Sequence, residues 1–396
     1  MTKSTSRAVK NGIEQFAIAP LKRLAEKRLG LLCNQSSTDA AYIHSRDIIN
    51  RVCPGQLTCL FSPQHGFFAE KQDNMIESGH QRDLLTDLPV FSLYGKERKP
   101  TAAMLDNIDV LLIDLPDVGT RVYTFMYTVA YCLEAAAEQG KQVVILDRPN
   151  PLGGKTVEGN ILRDEVRSFV GLYPIPMRHG LTLGELGNFF NQEFNLGADL
   201  TVVPMAGWQR SMMFSDTGLP WVFPSPNMPA PTTALVYPGQ VIWEGTNISE
   251  GRGTTLPFEL FGAPFFNHAE FLSGMAETSL PGCFLRPLVF EPTAGKWHGE
   301  QCPGFHLHVT DERKFKPYLT TLTLLQAVIK LYPEKFQYKE PPYEYEYEKL
   351  PLDLIIGDPA IRKAVEQGVA VLEIAESWQD ELREYDLLRR KYFLYD

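Results

Sequence analysis

Acidic, basic and imidazole side chains are concentrated in five turns of the sequence that are also rich in proline and glycine. These turns cover residues 62–74, 114–121, 147–151, 176–180 and 243–254. A protonated carboxylic acid beside an ionised carboxylate is the minimum equipment for cleaving a glycosidic bond. Six carboxylates in these turns are available for such a pair: Glu70, Asp73, Asp114, Asp117, Glu244 and Glu250.

Each of these carboxylates also has a structural interpretation. An acidic residue at a strand end usually caps the next helix or fixes a turn, which favours a structural role for any single one by about two to one. Their concentration in neighbouring turns favours a site. Arg121, Arg178 and Arg252 lie beside glycine-rich turns, and a guanidinium can hold a carboxylate by two hydrogen bonds. The sequence therefore predicts a substrate that carries a carboxylate.

The elements that must position these turns follow from the hydrophobic pattern. Short apolar runs, typical of strands buried on both faces, alternate with amphipathic helical segments. The predicted strands are 29–33, 57–61, 89–93, 110–115, 143–146 and 200–204. Helices are predicted at 43–52 and 126–139, and a third begins after Thr182 with Glu185 as its capping-box partner. This order predicts an α/β fold with a parallel sheet, in which ligands bind beyond the carboxyl ends of the strands.

The second half of the chain has a different pattern. Six prolines between Pro220 and Pro238 predict an ordered but irregular crossing segment. The order of strands and helices becomes mixed beyond Gly253, which predicts a smaller α+β domain. The predicted domains are 1–235 and 236–396. Its predicted strands are 256–260, 285–290 and 305–309, and its predicted helices are 268–277, 318–331, 361–367 and 370–391. The alternation of tyrosine and glutamate in 343–348 favours an edge strand over a binding motif.

Composition and missing motifs exclude several classes of protein. The 396 residues carry 38 Lys and Arg against 48 Asp and Glu, and the net charge of −10 argues against a general nucleic-acid binder. No G-x-G-x-x-G, phosphate-loop or G-x-S-x-G motif is present, and no Cys or carboxylate completes a metal site beside His306 and His308. We therefore expect no cofactor and no metal. With no apolar run of 18 residues and no visible signal peptide, we expect a cytoplasmic protein without a membrane span.

Several longer motifs occur together in a fixed order. They are PQHG at 63–66, YGK at 94–96, DLPDVGTRVYT at 114–124, LDRPNP at 146–151, GLYPIPMRHG at 171–180 and EGRGT at 250–254. In this order they resemble the bacterial exo-β-N-acetylmuramidase family, and the resemblance extends from about residue 12 to the C-terminus. It implies an enzyme that removes β-1,4-linked N-acetylmuramic acid from the non-reducing end of peptidoglycan fragments in cell-wall turnover. The implied fold is a Rossmann-like, mostly parallel sheet domain followed by a smaller domain, with the active site in the cleft between them.

The resemblance also implies roles for individual residues. Arg178 or Arg252 would hold the lactyl carboxylate of N-acetylmuramic acid. Many members have Pro-Glu-His-Gly where this chain has Gln64, and because an amide cannot act as a general acid, we expect Glu70 to be the catalytic acid. Asp117 or Asp114 would stabilise the oxocarbenium-like state or orient water. The expected substrate-binding residues are Gln64, His65, Asn74, Arg121, Tyr123, Asp147, Arg148, Arg178, His179, Glu250 and Arg252.

Three questions stay open at this level. Gln64 is also compatible with a catalytically altered protein that binds muropeptides or other anionic sugars. A related exo-glycosidase with a different terminal sugar is a further alternative. The 2-acetamido group of the substrate can assist the reaction, in which case no protein nucleophile is needed.

Overall fold

The structure is a computed structural model that describes residues 8–396. Within these residues it contains twelve β-strands: β1 (Leu29–Leu32), β2 (Leu57–Ser62), β3 (Gln81–Arg82), β4 (Pro89–Ser92), β5 (Val110–Ile113), β6 (Gln142–Leu146), β7 (Glu158–Ile161), β8 (Pro176–Arg178), β9 (Asp199–Val203), β10 (Leu260–Gly262), β11 (Cys283–Phe290) and β12 (Cys302–Val309). The same residues form thirteen α-helices: α1 (Gly12–Ile18), α2 (Ser45–Val52), α3 (Ala102–Leu105), α4 (Phe125–Glu138), α5 (Leu183–Glu193), α6 (Phe214–Thr217), α7 (Pro231–Gln240), α8 (His268–Gly274), α9 (Pro317–Leu331), α10 (Pro351–Ile356), α11 (Pro359–Glu366), α12 (Val371–Glu376) and α13 (Gln379–Arg389).

Seven strands form one large sheet in the order β3-β4-β2-β1-β5-β6-β9. All neighbours in it are parallel except β3 and β4. The six parallel strands, numbered along the chain, follow the order 3-2-1-4-5-6 of a Rossmann sheet, so the direction of winding reverses between β1 and β5. The prediction of a Rossmann-like, mostly parallel sheet is confirmed.

The large sheet is buried because helices cover both of its faces. Leu31 and Val144 pack in one apolar cluster with Ile13 of α1 and Ile48 of α2. Neighbouring strand positions belong to a second cluster, which continues through α4 and α5 into α9 and the small sheet. This two-sided burial explains why the central strands β1 and β5 are apolar runs in the sequence.

The second half of the chain contains an antiparallel sheet of three strands in the order β10-β12-β11, flanked by helices. The prediction of a smaller α+β region is confirmed, whereas the boundary between 235 and 236 stays a prediction. The segment expected to be irregular between Pro220 and Pro238 contains the start of α7. Pro231 occupies the first turn of α7, where a missing amide hydrogen costs no helical hydrogen bond.

Two predictions in the second half were wrong. The single helix expected at 370–391 is divided into α12 and α13 around Ser377 and Trp378. The edge strand expected at 343–348 is a tight turn, because Tyr343 and Glu346 exchange two backbone hydrogen bonds and reverse the chain. Within residues 8–396, no helix is both long and apolar enough to cross a membrane.

Candidate active site

Loops from both halves of the chain enclose a cleft with a wide outer part and a narrow inner part. The outer cavity has a volume of about 600 Å³, and the inner pocket has about 30 Å³, which is room for water molecules. The two parts share Asn74, Glu244, Arg252 and Tyr343, so they are continuous. Small-molecule sites have volumes of roughly 300–1,000 Å³. The outer cavity is therefore large enough for a sugar.

The loop after β2 brings His65 to the inner pocket. His65 and Gly66 have φ angles of 73° and 86°, and this left-handed pair turns the chain sharply. The Nδ1 of His65 donates to the Lys71 carbonyl at 2.7 Å, and burial lowers the pKa of His65 to about 4. At neutral pH the ring is therefore uncharged, and its Nε2 is an acceptor.

Gln64 is buried at the same end of the cleft, and its amide is fully engaged. Thr124 donates to its Oε1 at 2.5 Å. Its Nε2 donates to the Tyr94 hydroxyl at 3.1 Å and to Oε1 of Glu344 at 3.0 Å. The Tyr94 hydroxyl in turn donates to Oε2 of Glu344 at 2.8 Å. Gln64 therefore holds a carboxyl group that lies 280 residues further along the chain.

Glu344 is a cleft residue that the sequence analysis missed. It lines the inner pocket, its side chain is buried, and burial raises its pKa above the ordinary value. The turn that carries it has left-handed φ angles of 47° at Glu344 and 66° at Tyr345. The signal in the sequence is a glutamate placed directly after Pro341, Pro342 and Tyr343, but the period-two alternation of 343–348 favoured a strand.

Glu244 and Arg252 form the charged centre of the cleft. Oε1 of Glu244 accepts from Nη2 of Arg252 at 2.6 Å, and its Oε2 accepts from the Tyr343 hydroxyl at 2.6 Å and from Asn74 at 3.3 Å. Burial alone would raise the pKa of Glu244, but the Arg252 guanidinium and the Tyr343 hydroxyl overcome this and lower it. Glu244 is therefore a buried anion.

Arg252 has one donor left for a ligand. Its Nε and Nη2 face Glu244, whereas its Nη1 is buried and has no hydrogen-bond acceptor among residues 8–396. The side chain lines both parts of the cleft and packs on the ring of Phe258. An unpaired guanidinium nitrogen in a cavity is a site for an anionic group. Glu250 also lines the outer cavity, where it pairs with Lys296 at 2.7 Å.

Glu70 lies outside this cleft. Its side chain is exposed, and its Oε2 accepts from the backbone amide of Phe68 at 3.0 Å within its own loop. It lines neither part of the cleft. The chain turns at Gly66 and directs the carboxylate of Glu70 back onto that turn, where a Cβ on Gly66 would lie 2.5 Å from it. We therefore leave Glu70 out of the candidate site.

Asp114, Asp147 and Arg148 follow β5 and β6. Their side chains form hydrogen bonds with one another or with neighbouring elements. Asp114 is fully buried and pairs with Arg148 through two hydrogen bonds of 2.5 and 2.8 Å. Asp147 accepts from Thr182, from the amide of Gly184 and from the Tyr395 hydroxyl, at 2.7, 2.8 and 2.6 Å. These bonds fix the start of α5, where the predicted Thr182 capping box is confirmed. All three residues lie outside both parts of the cleft.

Four further predicted residues, Asp117, Arg121, Arg178 and His179, are buried and line neither part of the cleft. Asp117 accepts from the amide of Gly119 at 2.6 Å and pairs with Nε2 of His179 at 3.1 Å. Arg121 is fully buried and donates only to backbone carbonyls, and Arg178 donates to the carbonyl of Leu152. The predicted residues that the cleft does bring together are Gln64, His65, Asn74, Tyr123, Glu250 and Arg252.

Within the described part of the chain, no group of three or more His, Cys, Asp or Glu residues is arranged to hold a metal ion. All six cysteines are free.

Comparison with known proteins identifies the family. The family model for the N-terminal part of exo-β-N-acetylmuramidase NamZ matches residues 29–232, and the model for its C-terminal part matches residues 235–395. The chain belongs to the NamZ family. It is 45% identical over 387 residues to the peptidoglycan β-N-acetylmuramidase NamZ of Bacillus subtilis (strain 168), covering 98% of this chain and 91% of that protein.

Two solved structures share the fold of this NamZ family chain. Both are crystal structures of DUF1343 family proteins from Bacteroides fragilis NCTC 9343. The first is 34% identical with a TM-score of 0.89, and the second is 28% identical with a TM-score of 0.78. Each comparison covers 98% of this chain and 99% of the other. The two-part architecture is therefore shared over the full length of both.

Proposed function

We propose that the chain is an exo-β-N-acetylmuramidase, a glycoside hydrolase that releases β-1,4-linked N-acetylmuramic acid from the non-reducing end of peptidoglycan fragments. Membership of the NamZ family and the near full-length similarity to the Bacillus subtilis muramidase support this activity. The observation that carries it in the structure is a sugar-sized cleft lined by Arg252, whose Nη1 has no acceptor within residues 8–396, and by the buried carboxyl groups of Glu244, Glu250 and Glu344.

Arg252 provides the chemistry that separates N-acetylmuramic acid from an uncharged sugar. The lactyl group is the anionic part of this sugar, and the free Nη1 of Arg252 can donate to it from inside the cavity. Because Glu244 already accepts the other donors of Arg252, the guanidinium is held in a fixed orientation before substrate arrives. We propose that Arg252 is the residue that recognises the lactyl carboxylate.

Glu244 and His65 have separate tasks in this proposal. Cleavage of a glycosidic bond passes through a state with positive charge on the sugar ring. Glu244 is a buried anion at the junction of the two parts of the cleft, and it stabilises this charge. The uncharged His65 accepts from a sugar hydroxyl, and Asn74 donates to an oxygen of the substrate.

The substrate, the location and the domain boundary complete the proposal. Muropeptides or the muramyl disaccharide are the substrates, and hydrolysis by carboxyl groups requires no redox or group-transfer cofactor. The cytoplasmic location and the boundary between residues 235 and 236 stay predictions.

The activity is tested by incubating the purified chain with the disaccharide of N-acetylmuramic acid β-1,4-linked to N-acetylglucosamine. Mass spectrometry should detect both free monosaccharides, and a 4-nitrophenyl β-N-acetylmuramide should release nitrophenolate. Tight binding of N-acetylmuramic acid in calorimetry without turnover of either compound would instead identify a binding protein. Turnover of another terminal sugar in a panel of nitrophenyl glycosides would identify a different exo-glycosidase.

A further inference from the structure

Glu344 and Glu244 are the two buried carboxyl groups that line the inner pocket. We propose that Glu344 is the general acid that protonates the leaving oxygen, and that Gln64 is the positioning residue that holds it. This inference rests on the proposed function, because it names the proton donor for that reaction.

The hydrogen bonds around Glu344 leave it able to carry a proton. Each of its two oxygens accepts one hydrogen bond, from Gln64 at 3.0 Å and from Tyr94 at 2.8 Å. A carboxylate has about four acceptor positions, so about two remain, and one of them can carry a proton. Since Glu344 lines the inner pocket, that proton can be transferred to an oxygen of a bound substrate.

The backbone of this turn is held in an unfavourable conformation. Glu344 and the next residue, Tyr345, are not glycines, yet both have left-handed φ angles. Such angles cost free energy in a non-glycine residue and are concentrated at functional sites. Here the two backbone bonds between Tyr343 and Glu346 maintain them. The turn places the Tyr343 hydroxyl on Glu244 and the carboxyl group of the next residue against Gln64.

The surroundings favour the protonated form of Glu344. Burial is the largest cause of its raised pKa, and the negative charge of Glu244 adds to it. The hydrogen bonds from Tyr94 and Gln64 and the positive charge of Arg98 act in the opposite direction but do not cancel the rise. The other ionisable groups near it are Tyr237, Tyr343 and Tyr345. Two carboxyl groups with pKa values shifted in opposite directions match an acid and an anion.

This arrangement gives Gln64 a purpose that the sequence could not show. An amide cannot donate a proton as a general acid, but it can donate a hydrogen bond to one that does. A glutamate at position 64 would place a second carboxyl group directly on Glu344. In this chain the acid is supplied from the second half of the molecule, across the cleft.

The proposed step balances as a hydrolysis. The bond between the anomeric carbon and the glycosidic oxygen breaks, and its electron pair passes to that oxygen. The oxygen takes the proton of Glu344 and leaves as a hydroxyl group of the second sugar. The oxygen of a water molecule becomes bonded to the anomeric carbon, and the proton that this water loses returns Glu344 to its acid form.

The test compares two substrates with Glu344→Gln. General acid catalysis contributes about 10²- to 10⁴-fold, so the rate of disaccharide hydrolysis should fall by about that factor. Nitrophenolate leaves without being protonated, so the nitrophenyl muramide should lose only about tenfold or less. The matched control is Glu348→Gln, an exposed glutamate four residues later, which should retain wild-type rates on both substrates.

Several outcomes would overturn the assignment. Disaccharide hydrolysis by Glu344→Gln at nearly the wild-type rate would remove Glu344 from the reaction, and equal losses on both substrates would show a structural role. If wild type hydrolyses neither substrate, the proposed function itself fails. If Glu344→Gln does not fold, Tyr94→Phe provides the test. The Tyr94 hydroxyl lowers the pKa of Glu344, so its removal should move the alkaline limb of kcat/KM to higher pH. A limb that does not move would contradict the proposal.

Discussion

The guanidinium of Arg252 lines the cleft and is only partly paired with a protein carboxylate. Two of its nitrogens face Glu244, and the third is unpaired within residues 8–396. A lysine would keep the positive charge, but it has no planar fork that can serve two carboxylates at once. The proposed recognition of the lactyl group therefore depends on an arginine at this position.

Arg252→Lys should weaken discrimination between sugars. A hydrogen bond between charged groups contributes about 1.5–3 kcal/mol, so kcat/KM for nitrophenyl β-N-acetylmuramide should fall roughly 10- to 100-fold more than for the N-acetylglucosaminide. Initial rates on both substrates provide the ratio, with the exposed Arg82→Lys as control. Equal losses on the two sugars would show that Arg252 supports Glu244 and does not recognise the lactyl group.

Glu244 and Glu344 also set the pH dependence. The pKa of Glu244 is lowered and that of Glu344 is raised. Activity requires Glu244 ionised and Glu344 protonated, so kcat/KM should fall below the pKa of Glu244 and above the pKa of Glu344. The disaccharide should therefore give a bell-shaped profile in rate measurements across pH. In Glu344→Gln the alkaline limb should be absent, and a limb that persists there would belong to another group.

At the scale of elements, the sequence predicts the sheet better than the site. The central strands β1, β2, β5 and β6 are recognisable because their own residues are mostly apolar and buried. The edge strand β3 is polar and exposed, and the hydrophobic pattern does not indicate it. The turn at 343–346 depends on partners far away in the sequence, such as Gln64 and Tyr94, and its local alternation is equally compatible with a strand. For the same reason the local sequence does not indicate the backbone carbonyls to which Arg121 and Arg178 donate.

The crossing of α7 and α9 depends on the absence of a side chain at Gly239. A Cβ at this position would lie 2.0 Å from the carbonyl oxygen of Pro317. Gly239→Ala should therefore force the two helices apart and lower the free energy of unfolding by about 3 kcal/mol. The control is Gly79→Ala, since a Cβ there meets no atom within 4 Å. Urea unfolding followed by circular dichroism measures both, and equal midpoints would contradict the close packing.

At the scale of the whole molecule, the two halves share one apolar core. The larger cluster contains Ile113 of the large sheet, Phe305 of the small sheet and Leu325 of α9. The cleft is therefore built on a continuous core, and its two walls are fixed relative to each other by that packing. This allows Gln64 and Glu344 to form a hydrogen bond across 280 residues of chain. We expect the two halves to unfold in one transition.

Arg121 links the two halves of the chain. Its Nη1 donates to the carbonyls of Asn160 and Ile175 at 2.8 and 3.1 Å, and its Nη2 donates to those of Ile355 and Ile356 at 3.1 and 2.6 Å. Arg121→Met would leave buried carbonyls without a donor, and each such loss costs about 1–3 kcal/mol. The free energy of unfolding should therefore fall by at least about 3 kcal/mol.

The same variant separates a structural role for Arg121 from the substrate-binding role that the sequence suggested. If the side chain only joins the two halves, Arg121→Met should melt earlier than wild type, while KM for the nitrophenyl muramide stays unchanged well below the melting temperature. A substrate-binding arginine would give the reverse, with KM raised and the melting temperature preserved. Arg82→Met, at an exposed arginine, should change neither quantity. Because Arg121 is fully buried and donates only to backbone carbonyls, we expect the first result.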